Sequence, residues 1–140
     1  MAVDVDLLES ASRLGLFAGL PRAELETLLA GLQPATFGEG EWVVRRGDTD
    51  VGFHIIVEGE VGVVLEDEEL AILPKGSFFG EISALLNEPV VADIVSRAPL
   101  TCLVVPAPDV ESFLIANPRV MFSVLQTEAR RLKTMDEART

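Results

Sequence analysis

The stretch GSFFGEISALLNEPVVADIV, residues 76–95, contains the features on which the interpretation of the whole chain depends. A glycine turn and two aromatic residues lead into Gly80 and Glu81, which are followed by a short apolar segment with helical character at residues 82–86. A glycine before a short helix lets the backbone approach a ligand closely, and free N–H groups at a helix start attract an anion. The β-branched residues at the end of the stretch indicate a strand. The pattern therefore predicts a turn, a short helix and a strand beside a ligand site.

Glycine recurs between short β-rich runs from residue 35 to residue 105, and the apolar residues of these runs alternate with a period of two. Such alternation is typical of half-buried strands, with glycine at corners and bulges. The acidic run at residues 66–69 separates two of the runs and indicates an exposed hairpin tip. The predicted strands are residues 42–44, 53–57, 61–65, 70–73, 94–95 and 100–105.

Helical periodicity flanks the strands on both sides. Apolar residues recur at helical spacing over residues 5–17, and Pro21 fits the first turn of a second helix. After the strands, Pro108 and Asp109 begin a short helix, and Asn117 suits the N-cap position of a longer one. The longer helix carries an apolar stripe that either docks on the same chain or pairs with a second copy: Met121, Val124, Leu125, Ala129 and Leu132.

These patterns predict one domain, residues 1–140, of the α+β class. Its centre is an antiparallel β-roll of the double-stranded β-helix or jelly-roll type over residues 35–105. Helices within residues 5–33 precede the roll, and helices within residues 108–137 follow it. The chain of 140 residues is long enough to bury a core, and its hydrophobic content of 49% argues against disorder.

The balance of basic and acidic residues indicates which classes of partner the chain can bind. The chain has 11 basic and 23 acidic residues and a formal net charge of −12. Because DNA binding relies on Lys and Arg to neutralise phosphates, we expect no nucleic-acid partner. The local basic cluster Arg130-Arg131-Lys133 lies among acidic residues and indicates a solvated helix face. With no apolar run of membrane length and no signal-peptide pattern, we expect a cytoplasmic chain without membrane contact.

Few residues could support catalysis or bind a metal. His54 is the only histidine, so a multi-histidine metal site cannot include it, and packing is its predicted role. Cys102 is the only cysteine, which excludes an internal disulfide and indicates a buried strand residue. Asp48 and Asp50 lie near Gly47 and Gly52 and are predicted turn residues, with calcium ligation as the alternative role. We therefore expect no enzyme and no required metal or cofactor.

The quoted stretch and the glycine pattern together resemble the cyclic-nucleotide-binding domain family, to which the cAMP receptor protein and the kinase regulatory subunits belong. Gly80-Glu81, followed by small residues and a leucine, is similar to the phosphate-binding cassette of that family, and we refer to residues 76–95 as the cassette. The helical lead-in at residues 16–20 is also similar. Further landmarks of the family's roll occur in order: Gly40, Gly47, Asp48, Phe53, Ile56 and Gly59. The resemblance covers about residues 14–136 and implies the same fold.

The resemblance also implies a cyclic-nucleotide site, for cAMP or cGMP, in the cassette. The Glu81 carboxylate would hold the ribose 2′-hydroxyl, although a carboxylate at this place is also stabilised by the helix dipole alone. The phosphate would be bound by three backbone N–H groups, those of Gly80, Ile82 and Ser83. The base would lie against two apolar hairpin residues, Val63 and Leu70.

The cassette departs from the family pattern where the phosphate would lie. The family has an arginine ten residues after the glycine, and this chain has Val90 there. Val91 replaces a residue that is usually small or hydroxyl-bearing, and Asp93 adds a negative charge nearby. Arg97 either supplies the missing charge or forms a surface ion pair with Asp93. Because a charge-assisted contact contributes roughly 1.5–3 kcal/mol, we expect cAMP and cGMP binding to be weak or lost.

Two functional hypotheses follow from these residues. In the first, the chain is a non-catalytic regulatory or sensor module that binds a cyclic nucleotide weakly or binds another small molecule. In the second, the same fold has lost its ligand and serves as an interaction module. Such a module would contact an unidentified protein or form a homodimer through residues 118–136.

Overall fold

The computed structural model describes residues 5–139, and the strands within this range form two four-stranded antiparallel sheets. The strands are β1 (Gln33–Phe37), β2 (Trp42–Val44), β3 (Phe53–Glu58), β4 (Val61–Leu65), β5 (Glu68–Leu73), β6 (Phe78–Phe79), β7 (Asp93–Ser96) and β8 (Leu100–Val105). The first sheet has the order β1-β8-β3-β6, and the second has the order β2-β7-β4-β5. This arrangement confirms the predicted α+β fold with an antiparallel β-roll.

Helices lie before the roll, within the cassette and after the roll. They are α1 (Val5–Ser12), α2 (Arg22–Ala30), α3 (Glu81–Leu86), α4 (Val110–Ala116) and α5 (Pro118–Arg139), with short 3₁₀ helices at Gly15–Phe17 and Ala107–Asp109. The predicted helix over residues 5–17 ends at Ser12, and Pro21 is the N-cap residue before α2 rather than part of its first turn. No helix among residues 5–139 is long and apolar enough to cross a bilayer. Residues 1–4 and 140 of the expected domain lie outside the described residues.

The sequence patterns miss two strands. β1 begins at Gln33 and includes Pro34, which has no N–H to donate. Because β1 pairs only with β8, it is an edge strand, where proline is tolerated. β6 has two residues, which pair with His54 and Ile55, and two residues are too few to show alternation. Both strands are therefore defined by their partners rather than by their own sequence.

The acidic hairpin tip is shorter than the acidic run predicts. Glu66 and Asp67 form the turn, with φ angles of 51° and 66°. Two consecutive residues with positive φ are required by the type I′ turn that best joins twisted strands. The other two acidic residues, Glu68 and Glu69, already belong to β5.

The core has two parts, one on each side of the first sheet. Side chains alternate along β3, so Phe53 and Ile55 pack with the helices while Ile56 packs between the sheets. The two residues of β6 divide in the same way: Phe78 packs with the helices, and Phe79 packs between the sheets. The Phe78 ring meets the Phe53 ring edge-on, with centroids 5.3 Å apart. The start of the cassette is therefore anchored in both parts of the core.

His54 and Cys102 both have the packing roles that the sequence predicts. The His54 ring stacks on Phe79 with centroids 4.7 Å apart, and its Nδ1 lies 2.8 Å from the Gly52 carbonyl oxygen. Burial lowers the pKa of His54, although the contact with Gly52 opposes this shift. Cys102 is fully buried, and burial raises the pKa of its thiol to about 12. The thiol therefore stays protonated and is a poor nucleophile.

Candidate functional site

The position of α3 depends on a close backbone contact at Gly80. Gly80 has a φ of +88°, and a Cβ added there would lie 2.1 Å from the Gly52 carbonyl oxygen. Both the left-handed conformation and the short distance exclude a side chain at this position. The loop that precedes β3 and the start of α3 are thereby held against each other.

The end of α3 is closed by local hydrogen bonds. The helix ends at Asn87, which has the left-handed conformation with a φ of 54°. The Ser83 hydroxyl donates to the Glu88 carbonyl oxygen, and the Glu88 N–H donates to the Ser83 carbonyl oxygen at 3.2 Å. The predicted turn at residues 87–89 is therefore fixed to the helix that it follows.

A cavity of about 330 Å³ lies beside the cassette, at the small end of the usual range for ligand pockets. Its wall is mostly apolar, and three charged side chains take part in it, those of Glu81, Glu88 and Arg131. The other lining residues are Val63, Leu73, Phe78, Phe79, Gly80, Ile82, Ser83, Pro89, Val90, Val91, Ala92 and Ile94. The structure thus brings together every predicted site residue except Leu70.

The hairpin of β4 and β5 places one of its two predicted base-contacting residues at the cavity. The register pairs Val63 with Ala71, and an irregularity follows between Val63 and Val64. Val63 lines the cavity, whereas Leu70 is 55% exposed and Leu73 lines the cavity in its place. Leu70 lies at this irregularity and has no partner on β4, because Val63 pairs with Ala71 and Val64 pairs with Glu69.

Val90 joins the cassette to the loop after β2. Its carbonyl oxygen accepts the Gly47 N–H at 2.8 Å, and its N–H donates to the Asp48 carbonyl oxygen at 3.0 Å. The Val90 side chain is half-buried and packs against the core between the sheets. Val91, by contrast, is 78% exposed. At these two positions the cassette presents apolar side chains and no charge.

Asp93 and Arg97 have partners other than the predicted ones. Asp93 Oδ1 accepts the Arg46 N–H at 2.7 Å, and Asp93 is not among the residues that line the cavity. Arg97 Nη1 lies 2.6 Å from Glu69 Oε1. The predicted ion pair between Arg97 and Asp93 is therefore wrong. The physical reason is Gly62 on the intervening strand β4, whose missing side chain leaves room for Arg97 and Glu69 to meet.

The C-terminal helix reaches the cassette through Arg131. Its Nη1 donates to Glu81 Oε1 at 3.2 Å and to Glu128 Oε1 at 2.9 Å. The guanidinium carbon lies 5.0 Å from the centroid of the Phe78 ring, a cation–π contact. The prediction of a solvated basic face is therefore wrong for Arg131, because this residue pairs with a carboxylate that is only 3% exposed. The other two members of the basic cluster, Arg130 and Lys133, are exposed.

The environment of Glu81 raises its pKa to about 7. Burial is the largest cause; a hydrogen bond from its own backbone N–H opposes it, and Glu128 raises the pKa further. Arg131 stabilises the charged form of Glu81 and so lowers its pKa. Because Arg131 also pairs with Glu128, this effect does not offset the rise in pKa that burial causes. Glu81 Oε2 is buried and accepts no hydrogen bond from the described residues. The contact between the carboxyl groups of Glu81 and Glu128 becomes a hydrogen bond only when one of these two groups is protonated.

The roll, the cassette and the buried glutamate together match a known family. The profile of the family described as "Cyclic nucleotide-binding domain" matches residues 34–117. The chain belongs to the cyclic nucleotide-binding domain family. The matched residues include most of the roll and the whole cassette, and they end just before α5. Arg131 therefore lies outside the range that the family profile matches.

Proteins of several kinds contain a similar cyclic nucleotide-binding domain. The chain is 40% identical over 87 residues to cyclic nucleotide-gated channel alpha-4 of Mus musculus, a match that covers 61% of this chain and 15% of the channel. Its fold matches the catabolite activator protein of Thermus thermophilus with a TM-score of 0.77 and 26% identity, over 88% of this chain and 60% of that one. The chain therefore spans less than two thirds of the length of either relative.

A third relative shows the fold alone. The regulatory subunit of a cAMP-independent protein kinase A from Trypanosoma brucei matches with a TM-score of 0.77 and 22% identity. The match covers 96% of this chain and 49% of that one, so it extends over the flanking helices as well as the roll. The shared family and fold support a regulatory or sensor module.

Arg131 contacts the cassette, and the sequence patterns miss this contact. Its contact with Glu81 spans fifty residues along the chain, and no periodicity connects the two. The available signal is local: Glu128 and Arg131 are three residues apart, a spacing at which helical side chains meet. That spacing predicts an ion pair between Glu128 and Arg131 on α5, but it does not predict the contact of Arg131 with the cassette.

Proposed function

We propose that this domain is a non-catalytic regulatory module whose cassette binds cAMP and cGMP weakly or not at all. The observation that carries the proposal is the distribution of charge in the cassette cavity. Its wall contains two carboxylates, Glu81 and Glu88, and one guanidinium, Arg131. That guanidinium is already paired with Glu81 and Glu128. A cyclic phosphate in this cavity would therefore meet more negative than positive charge.

The side chain at residue 90 adds to this effect. The Val90 side chain cannot donate a hydrogen bond or offset a charge, whereas an arginine contact with a phosphate contributes roughly 1.5–3 kcal/mol. This difference corresponds to about a ten- to hundredfold loss of affinity. Burying a phosphate without a counter-charge costs more again. Asp93 does not line the cavity, and its carboxylate accepts the Arg46 N–H.

Titration calorimetry of the wild-type domain with cAMP and with cGMP tests the proposal. We expect no saturation at low micromolar concentrations of either nucleotide. Saturation in that range would overturn the proposal and would show that Arg131 or another cation turns toward the phosphate.

The titratable groups of the roll support a function without catalysis. Residues 5–139 contain no group of three or more His, Cys, Asp or Glu side chains that could hold a metal ion. Cys102 is buried in the core, and His54 is half-buried and stacks on Phe79. The net charge of −12 supports a function without a nucleic-acid partner.

A second candidate function, homodimerisation through residues 118–136, is favoured by the exposed face of α5. The start of the helix is docked on the chain by Val120 and Val124, which are buried. Several apolar residues of the same helix remain exposed at spacings of three and four residues: Phe122, Leu125, Ala129 and Leu132. This spacing is the one that pairs helices in a coiled coil. The predicted stripe is thus divided, with Val124 docked on the roll and the rest facing outward.

A further inference from the structure

The later part of α5, residues 125–138, faces the cassette with polar side chains. Among the described side chains that follow Val124 on this helix, none is buried. The half-buried ones are Thr127, Glu128 and Arg131, and spacings of three and four residues place them on one face of the helix. The attachment of this part of α5 therefore depends on charge and hydrogen bonding rather than on an apolar seam.

The two charged residues of this face meet a buried carboxyl group of the cassette. Arg131 Nη1 lies 3.2 Å from Glu81 Oε1 and 2.9 Å from Glu128 Oε1. Its Nη2 lies 3.5 Å from the Phe78 carbonyl oxygen. Glu81 Oε2 is buried and accepts no hydrogen bond from the described residues. One guanidinium therefore serves two carboxyl groups that also contact each other.

This cluster of three side chains is balanced in charge when it holds one proton. With both carboxyl groups ionised, it has two negative charges and one positive charge, and two adjacent carboxylates disfavour each other's ionisation. A proton on one carboxyl group removes the excess charge and becomes a hydrogen-bond donor to the other group. Burial, with a further contribution from Glu128, raises the pKa of Glu81 to about 7.

We propose that Glu81 and Glu128 share one proton and that this proton holds the later part of α5 against the cassette. When the proton passes to solvent, the cluster keeps a buried excess negative charge. Lifting this part of α5 relieves the excess, because water then reaches both carboxylates. No ligand takes part, so the inference goes beyond the proposed function, and its test is independent of nucleotide binding.

The direction of the effect follows from which state binds the proton more tightly. With α5 docked, the pKa of Glu81 is about 7, and contact with water shifts it toward the ordinary 4.5. Between these values the docked state binds more protons than the lifted state, so docking weakens as the pH rises toward 7. Each unit of pKa difference between the two states changes the docking equilibrium about tenfold.

Other titratable groups near α3 and on α5 are not part of the cluster. The pKa of Glu81 is shifted by burial, its own backbone N–H, Glu128 and Arg131. His54 has a pKa that burial lowers, so its titration destabilises the fold as the pH falls, which is the opposite sign. The remaining groups are Glu58 on β3, Glu111 on α4, Glu88 after α3, and Arg130 and Lys133 on α5.

Hydrogen exchange of the wild-type domain between pH 5 and pH 8 tests the proposal. Protection factors, which remove the intrinsic pH dependence of amide exchange, are measured for residues 125–131 of α5. We expect them to fall by about tenfold or more from pH 5 to pH 8, because the docked state loses its shared proton in this range. Protection factors that stay constant would overturn the proposal.

Matched glutamine variants identify the carboxyl groups that share the proton. The amide of Glu128→Gln donates to Glu81 without a proton, so this variant should reduce the tenfold fall to about threefold or less. Glu88→Gln changes an exposed carboxylate outside the cluster and should keep the wild-type fall. Both variants retain His54, so its contribution cancels in the comparison. A full wild-type fall in Glu128→Gln, or its loss in Glu88→Gln, would contradict a proton shared between Glu81 and Glu128.

Discussion

Arg131 Nη1 lies 3.2 Å from Glu81 Oε1 and joins the last helix of the chain to the helix of the cassette. The contact links residues that are fifty positions apart. Val120 and Val124 dock the start of α5, and Arg131 connects its later part to the cassette through Glu81 and the Phe78 ring.

Removing this guanidinium should destabilise the domain. Arg131→Ala leaves two neighbouring carboxylates, Glu81 and Glu128, without their shared cation. We expect the free energy of unfolding to fall by about 1–3 kcal/mol, measured by urea denaturation. The control is Arg130→Ala, which removes an exposed arginine one residue away. Equal effects of the two substitutions would show that the contact with Glu81 contributes nothing.

The stability of the domain should depend on the protonation of Glu81. The folded state holds this proton up to a pKa of about 7, whereas the ordinary pKa of a glutamate side chain is 4.5. Between these values the folded state binds more protons than the unfolded chain, so stability falls as the pH rises through this window. The loss attributable to Glu81 amounts to as much as about 3 kcal/mol.

Glu81→Gln should abolish this pH dependence, because glutamine does not titrate. The measurement is urea denaturation at several pH values between about 5 and 8, with Glu88→Gln as the exposed-carboxylate control. A variant at residue 81 that retains the wild-type slope would assign the titration to another group.

The close approach at Gly80 predicts a steep cost for any side chain there. Gly80→Ala would place a Cβ 2.1 Å from the Gly52 carbonyl oxygen and also strain the left-handed backbone. Gly40 has a similar φ of +82°, but nothing lies within 4 Å of its added Cβ. We expect Gly40→Ala to cost about 1–2 kcal/mol for the backbone alone. Gly80→Ala should cost about 2–4 kcal/mol, measured by the same denaturation.

Dimerisation through α5 predicts a concentration-dependent sedimentation coefficient for the wild-type domain. Leu125→Glu places a charge in the exposed apolar face and should raise the dissociation constant of the dimer by about tenfold or more. Gln126→Glu adds the same charge at the neighbouring exposed position and should have little effect. A wild-type monomer that does not change with concentration at tens of micromolar would contradict the second candidate function.

The parts of the fold that the sequence predicts are those encoded locally. Strand β4 has the bounds that its alternation predicts, and the glycine before α3 marks the start of that helix. The roles of Asp93 and Arg131 could not be predicted in this way. Asp93 accepts from the backbone of Arg46, and Arg131 meets Glu81 only after the last helix has packed against the roll. Contacts of this kind depend on tertiary geometry, which no short pattern contains.

The most direct test of the account is calorimetric titration of cAMP into the wild-type domain and into Val90→Arg. We expect no saturation of the wild type at low micromolar ligand and a ten- to hundredfold gain in Val90→Arg, since an arginine contact contributes roughly 1.5–3 kcal/mol. Val90→Leu, which changes size without adding charge, should show no gain. Adding Asp93→Ala to Val90→Arg should bring little further gain, because Asp93 is not among the residues that line the cavity. Tight binding by the wild type, or a folded Val90→Arg variant with no gain in affinity, would contradict the account.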